Sequence, residues 1–197
     1  MIKNLVFDVG MVLVDFVPYP VLKKMGYSDE VSERICKATV RNPVWKEYDR
    51  GVWSTEQVHD AMVQADPLLE KEIRYFLAHM DDTIVERPAI VPWFCELKQE
   101  GYKLYFLSNY PHLLYEQTRK HMPFLPVVDG GIFSYREKMI KPDPAIYRCL
   151  TERYDLKAEE CLFFDDRQEN VDGALRVGMK AELFTNIEKM QATVALL

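Results

Sequence analysis

Four places in the chain set oxygen- and nitrogen-bearing side chains where chemistry could follow. Leu5-Val6-Phe7 lead into Asp8, and Leu104-Tyr105-Phe106-Leu107 lead into Ser108 and Asn109. Cys161-Leu162-Phe163-Phe164 lead into Asp165 and Asp166, with Asn170 close behind. Lys141 stands in the run Lys141-Pro142-Asp143-Pro144. Singly, each has an ordinary structural explanation: a helix cap, a Ser-Asn turn, a helix entry, a solvated acidic pair. Brought to one sheet edge they imply chemistry. Three carboxylates there raise one another's pKa, and a hard divalent cation with oxygen ligands removes the conflict. Mg2+ suits two or three carboxylates, retains waters and takes a substrate phosphate oxygen to complete its octahedron. A lysine and a serine hydroxyl supply charge and hydrogen bonds for the other phosphoryl oxygens. The reaction implied is phosphoryl transfer to a carboxylate, followed by hydrolysis.

The elements that position these groups are legible around them. Apolar runs this short, rich in β-formers and bounded by turn residues, read as buried parallel strands. Gly101 sits where a glycine ends an amphipathic stretch that opens near Pro88. Asp143-Pro144 gives a cap followed by proline, which predicts a helix running towards Tyr154. Gly178 closes another helix that opens near Gln168. The alternation predicts a doubly wound, Rossmann-like α/β core with a parallel sheet of about five strands and right-handed crossovers. Ligands of such sheets bind at the carboxyl ends of the strands, and the four predicted strand ends carry the polar groups above.

One interval breaks the rhythm. Between Asp8 and the strand near Lys103 lies far more chain than one crossover helix needs. Val31, Ile35, Ala38 and Thr39 recur at helical spacing, as do Val58, Met62 and Ala65. Ser54-Thr55-Glu56-Gln57 has the form of a helix entry with Ser54 as cap. An inserted all-helical lid over residues 16–85 is expected, leaving 1–15 and 86–197 as the core.

Composition narrows the classes. The 197 residues suffice for one core plus a small accessory domain. A formal charge of -6 without a basic stripe argues against nucleic acid. The N-terminal apolar run, interrupted by Asp8, is too short for a signal peptide or a membrane span. Cys36, Cys95, Cys149 and Cys161 form no C-x-x-C pair, so they are expected as reduced, small buried hydrophobes in a soluble cytoplasmic protein. Trp45, Trp53 and Trp93 are expected as core or lid-interface anchors. Oligomeric state leaves no mark in the sequence.

Taken in order, the motifs resemble those of the haloacid dehalogenase superfamily, whose members are mostly Mg2+-dependent phosphatases. They read Phe7-Asp8-Val9-Gly10-Met11-Val12-Leu13-Val14-Asp15, Leu107-Ser108-Asn109, Lys141-Pro142-Asp143-Pro144 and Phe163-Phe164-Asp165-Asp166-Arg167-Gln168-Glu169-Asn170. The insertion after the first motif is where this family places its helical C1-type cap. Trp45-Lys46-Glu47-Tyr48-Asp49-Arg50-Gly51 resembles a segment of a branch that holds bacterial sugar-phosphate phosphatases. The resemblance implies that Asp8 is the nucleophile and that Ser108 and Lys141 hold the phosphoryl group, with Asn109 helping to orient the attack. It implies Mg2+ on Asp8, the Gly10 carbonyl and Asp166, helped by Asp165 or Asn170, and a small phosphorylated metabolite, such as a hexose phosphate, as substrate.

The first motif departs from the family's Asp-x-Asp, because Gly10 stands where a second Asp would protonate the leaving alcohol. General acid catalysis contributes a factor of roughly 10²–10⁴. Asp15, near the entry to the lid, and His112, after the second motif, are candidates for that acid. Asp15 reads more readily as a hinge residue and His112 as a surface or capping histidine, so a lid carboxylate or water is expected instead. Met11, where glycine or asparagine is more familiar, is expected to pack under the lid. Phe16, Tyr19 and Tyr48 are the lid aromatics that could face substrate. A 2-haloacid dehalogenase would leave Asp165-Asp166 as surplus negative charge, a phosphomutase needs the acid missing at Gly10, and a receiver domain has its motifs in a different order. A binding protein that has lost turnover is the remaining rival.

Overall fold

Within the three apolar runs, successive residues leave the backbone on opposite sides, and both sets are apolar. Leu5, Phe7, Leu104, Phe106, Leu162 and Phe164 belong to one buried cluster, whereas Val6, Tyr105, Leu107, Cys161 and Phe163 belong to another. Strands of this kind need cover on both faces, the condition for a parallel sheet between helix layers. A computed structural model, which describes residues 1–197, has that sheet.

Along the chain, β1 (Asn4–Phe7) is followed by β2 (Val14–Phe16) and five helices: α1 (Pro18–Lys24), α2 (Asp29–Ala38), α3 (Trp45–Arg50), α4 (Thr55–Ala65) and α5 (Glu70–Ala78). Then come β3 (Ile84–Glu86), α6 (Ile90–Gln99), β4 (Lys103–Ser108), α7 (His112–Thr118), β5 (Gly130–Phe133) and α8 (Ser134–Glu137). The chain ends with α9 (Pro144–Arg153), β6 (Cys161–Asp165), α10 (Gln168–Arg176), β7 (Lys180–Leu183) and α11 (Ile187–Val194). The five core strands pair in parallel in the order β5-β4-β1-β6-β7. From central β1 the chain builds β4 and β5 on one side and then β6 and β7 on the other. Asp8 therefore stands at the switch point, where a crevice opens between diverging connections. Ile90, Phe94 and Leu97 of α6 and Met190 and Val194 of α11 cover one face; Ile146 and Leu150 of α9 and Ala174 of α10 cover the other.

The local signals act as expected. Asp143 accepts the Ala145 N–H at 2.9 Å and caps α9, and Ser54 and Gln57 form a reciprocal capping box on α4. Gly101 and Gly178 take φ of +94° and +87° where α6 and α10 stop. Ile35, Ala38, Thr39, Val58 and Met62 are buried, but Ala65 is exposed and Val63 is the residue facing inward. Lys141 does not end a strand: it lies beyond α8, in the loop that enters α9.

The five helices are framed by a two-stranded antiparallel ribbon of β2 and β3, with Asp15 opposite Val85. Its strands of three residues are too short to show a period. Arg87 locks the ribbon to the core, donating to Asp15 Oδ1 at 2.6 and 3.1 Å and to the Val12 carbonyl at 2.9 Å. All four cysteines are free; Cys36 and Cys161 are buried, but Cys95 is exposed. Trp93 is buried in the core, whereas Trp53 is exposed. No helix is long and apolar enough to cross a membrane.

Candidate active site

β1 runs buried into Asp8, whose N–H continues the ladder to the Phe164 carbonyl at 2.9 Å. The residue is 8% exposed. Oδ1 accepts the Val9 N–H at 2.7 Å and lies 2.9 Å from the Lys141 ammonium, which leaves Oδ2 as the less encumbered oxygen.

Lys141 is 2% exposed and sits between two carboxylates, with Nζ 2.6 Å from Asp165 Oδ2. Its backbone is clamped by Asn109, whose amide donates to the Lys141 carbonyl at 3.0 Å and accepts the Lys141 N–H at 2.8 Å. This two-way bond ties the end of β4 to the loop before α9. The Asn109 amide is thereby occupied with Lys141. Asp165 is fully buried, and both its oxygens are engaged by Lys141, the Arg167 N–H and the Asn170 amide.

Burial, and then the crowding of charges, sets the proton affinities. Burial, reinforced by Asp165 and Asp166, pushes Asp8 up to about 7 against the pull of Lys141. Burial and Asp165 also raise Asp166. Burial alone would lower Lys141, but Asp165 and Asp8 outweigh it and hold the ammonium above its ordinary value.

The site also gathers oxygen donors of the kind a cation takes. Asp8, Asp165 and Asp166 present carboxylate oxygens within 4.8 Å of one another. Asn170 donates its Nδ2 to Asp165, so its Oδ1 is the buried atom left without a partner. A set of hard oxygens around unrelieved negative charge fits Mg2+. Its removal and return are therefore measurable in stability. Added Mg2+ is expected to raise the unfolding midpoint, by roughly 3 kcal/mol of stabilisation at a hundredfold excess over Kd. Because Asp8 must shed a proton with affinity near 7 before binding, the shift should be larger at pH 8 than at pH 5.5. Calorimetry at both pH values checks this, and a shift independent of pH would contradict it.

The crevice over these groups encloses about 220 Å³. Its floor is formed by Asp8, Gly10, Lys141, Asp166, Arg167 and Asn170, with Asn109 beside them. Ser108, 1% exposed at the end of β4, is not among the lining residues, although Asn109 and Tyr110 after it are. The upper wall is mostly apolar: Phe16, Val40, Trp45, Ile84, Pro111 and Leu114. Met11 does not pack under the lid as expected. It is 43% exposed, lines the crevice, and takes φ of +62°, the left-handed conformation that explains why glycine or asparagine is more familiar there. Phe16 faces the crevice, but Tyr48 is buried against Trp45 and His59, and Tyr19 bonds to Asp29.

Neither sequence candidate for the missing acid reaches this space. Asp15 is held by Arg87, and His112 is exposed at the start of α7, its ring tilted against Tyr135 with centroids 4.9 Å apart. Two charged lining residues escape sequence reasoning as site residues, Arg167 and Asp49. For Asp49 a signal exists: it shares one face of α3 with Trp45 and Tyr48, an unusual place for a charge.

Known proteins resemble this chain throughout its length. The sesquiterpene phosphatase astK of Aspergillus oryzae is 26% identical over 177 residues, 90% of this chain and 87% of that protein. The haloacid-dehalogenase-family enzyme bt-2542 of Bacteroides thetaiotaomicron superposes with a TM-score of 0.75 at 21% identity, covering 98% of both chains. A variant of that enzyme in complex with magnesium and inorganic phosphate gives a TM-score of 0.72 at 21% identity, over 94% of this chain and 95% of that one. The sequence profile of the haloacid dehalogenase-like hydrolases matches residues 2–178, and with the motif order and fold above it places the chain in that family.

Proposed function

We propose that this hydrolase is a Mg2+-dependent phosphatase that cleaves a small phosphate monoester through an aspartyl-phosphate on Asp8. The observation that carries this is a buried carboxylate at the sheet's switch point, lining the crevice, with Oδ1 held by an ammonium at 2.9 Å and Oδ2 without a hydrogen-bond partner. Asp8 Oδ2 attacks phosphorus, and water then releases phosphate from the acyl phosphate. Lys141 neutralises the phosphoryl oxygens, and Ser108, buried beside Asn109 at the strand end, is the hydroxyl that the family resemblance assigns to them. Asn109 and Asp165 position Lys141, the one through its backbone and the other through its ammonium. Asp8, the Gly10 carbonyl, Asp166 and Asn170, with Asp165 behind them, would hold Mg2+, which would offset the charge of the phosphoryl group. Residues 16–85 act as a lid on a core of 1–15 and 86–197, with the β2–β3 ribbon as its stem. A dehalogenase at this site would set the free Asp166 carboxylate against an anionic substrate, which disfavours that chemistry.

For the leaving group, the resemblance of the Trp45–Gly51 segment to the sugar-phosphate branch points to a hexose. The wall of Phe16, Trp45, Ile84 and Leu114 offers little to a ring of hydroxyls and favours an apolar organic group. The name of the astK relative supports that preference. Isoprenyl or benzyl monophosphate is expected to exceed glucose 1-phosphate in kcat/KM by at least about tenfold, the equivalent of burying two methylenes. A steady-state comparison decides it, and the opposite ranking would restore the sugar-phosphate assignment.

A further inference from the structure

Gly10 removes the acid that the family uses at this position, yet the space it leaves is open: a Cβ built there meets nothing within 4 Å. Some other group must protonate an alcohol as it leaves, or turnover of alkyl esters fails. Among the protonatable groups that line the crevice, Asp8, Lys141 and Asp166 belong to the phosphoryl end. Tyr110 is buried and spends its hydroxyl on Thr118 at 2.8 Å. One group is left.

On the phosphatase reading above, we propose that Asp49 of the lid is the general acid–base of this enzyme, acting on the leaving-group oxygen in place of an acid at position 10. Asp49 lines the same crevice as Asp8, is 8% exposed, and its buried Oδ1 has no hydrogen-bond partner. No cation forms an ion pair with it, in contrast to Asp15 and Asp165. The apolar wall around it keeps the proton from being shared with water.

Its position is fixed from the core side. Ser134 Oγ donates to the Asp49 carbonyl at 2.5 Å and itself accepts the Tyr110 N–H at 2.9 Å, which joins α3 to the ends of β4 and β5. Gly51, at φ of +68°, lies so close to Tyr135 that a Cβ would approach its backbone to 3.0 Å. Burial, then the negative charge of Asp8, raises the Asp49 carboxyl to about 8, opposed by Lys141, Arg167 and the Trp45 indole; Tyr48 and Tyr110 are the other titratable groups that face it. The acid is thus protonated at neutral pH, as the first step requires.

In that step the bond from Asp8 Oδ2 to phosphorus forms, the bond to the ester oxygen breaks, and the Asp49 proton passes to that oxygen. An alcohol leaves. In the second step the Asp49 carboxylate takes a proton from the attacking water, whose oxygen bonds to phosphorus as the Asp8–phosphorus bond breaks; inorganic phosphate leaves, and both carboxyl groups return to their starting states.

The test is leaving-group dependence in an Asp49→Asn variant with Mg2+ present. The kcat/KM for an alkyl or benzyl monophosphate, which reports only the steps through aspartyl-phosphate formation, should fall by roughly 10²–10⁴-fold, while that for 2,4-dinitrophenyl phosphate, whose leaving group needs no proton, should fall by less than about tenfold. Equal losses on both esters, or none on either, would overturn the assignment. If the variant fails to fold, wild-type pH profiles serve: the alkyl ester should lose kcat/KM as Asp49 deprotonates, whereas the dinitrophenyl ester should not. Coincident profiles would overturn it too. Absence of turnover of every ester by the wild-type protein is a different result, and it removes the phosphatase reading itself together with the acid.

Discussion

An Asp8→Asn variant is expected to lose turnover by about 10⁴-fold or more while keeping its fold. The amide presents no anionic oxygen to phosphorus, so no acyl phosphate forms. Stability should move the other way. Asp8 binds its proton with affinity near 7 in the folded chain and near its ordinary value of 3.8 when unfolded. Unfolding therefore releases protons between those values, and the folded state is weakened as pH rises from about 4 to about 7. Asn cannot ionise and escapes that penalty. Without Mg2+ at pH 8, the variant should unfold at the wild-type midpoint or above it. Circular dichroism melts and a p-nitrophenyl phosphate assay check the two halves, and turnover retained within tenfold would remove Asp8 from the mechanism.

Lys141→Met carries the second large effect, on stability as well as rate. The wild-type ammonium is the only cation within salt-bridge distance of Asp8 and Asp165, at 2.9 and 2.6 Å. Its removal leaves two buried carboxylates unpaired, at a cost of about 3–5 kcal/mol near pH 8. For a chain of this length that lowers the melting temperature by roughly 10 °C. The loss should shrink towards pH 5, where Asp8, freed from the cation that lowers its pKa, takes up a proton. Mg2+ should restore part of the stability, because it supplies charge to the same carboxylates. Turnover should fall by about 10²–10³-fold, the scale for losing one preorganised partner of a developing charge. Melts across pH test this, and a loss below about 1 kcal/mol at pH 8 would mean that the two carboxylates are relieved by something else.

Both variants touch residues that the amino-acid sequence alone makes legible. Asp8, Lys141 and Asp166 are readable because each sits at a fixed place in a local pattern: after an apolar run, before Pro-Asp-Pro, or within an acidic pair. The doubly wound sheet is legible for the same reason, since β1, β4 and β6 are continuous apolar runs with β-formers on both faces. What local pattern does not carry is pairing. The sequence points Asn109 and Asp165 towards substrate or metal, and only the approach of β4, β6 and the Lys141 loop shows their side chains spent on Lys141. The β2–β3 ribbon escapes pattern reading because three residues hold too little period to register. Asp49 shares a face of its six-residue helix with Trp45 and Tyr48, which marks it as a charge in an apolar setting, but nothing local says that this face will meet a crevice formed by distant strands.

Rapid acid quench of the Mg2+-loaded enzyme with p-nitrophenyl phosphate, followed by peptide mass mapping, tests the nucleophile most directly. A phosphoryl adduct on the peptide that holds Asp8, absent in Asp8→Asn, is the predicted result. Steady turnover with no adduct on that peptide, at time points spanning the first cycle, would contradict the aspartyl-phosphate mechanism.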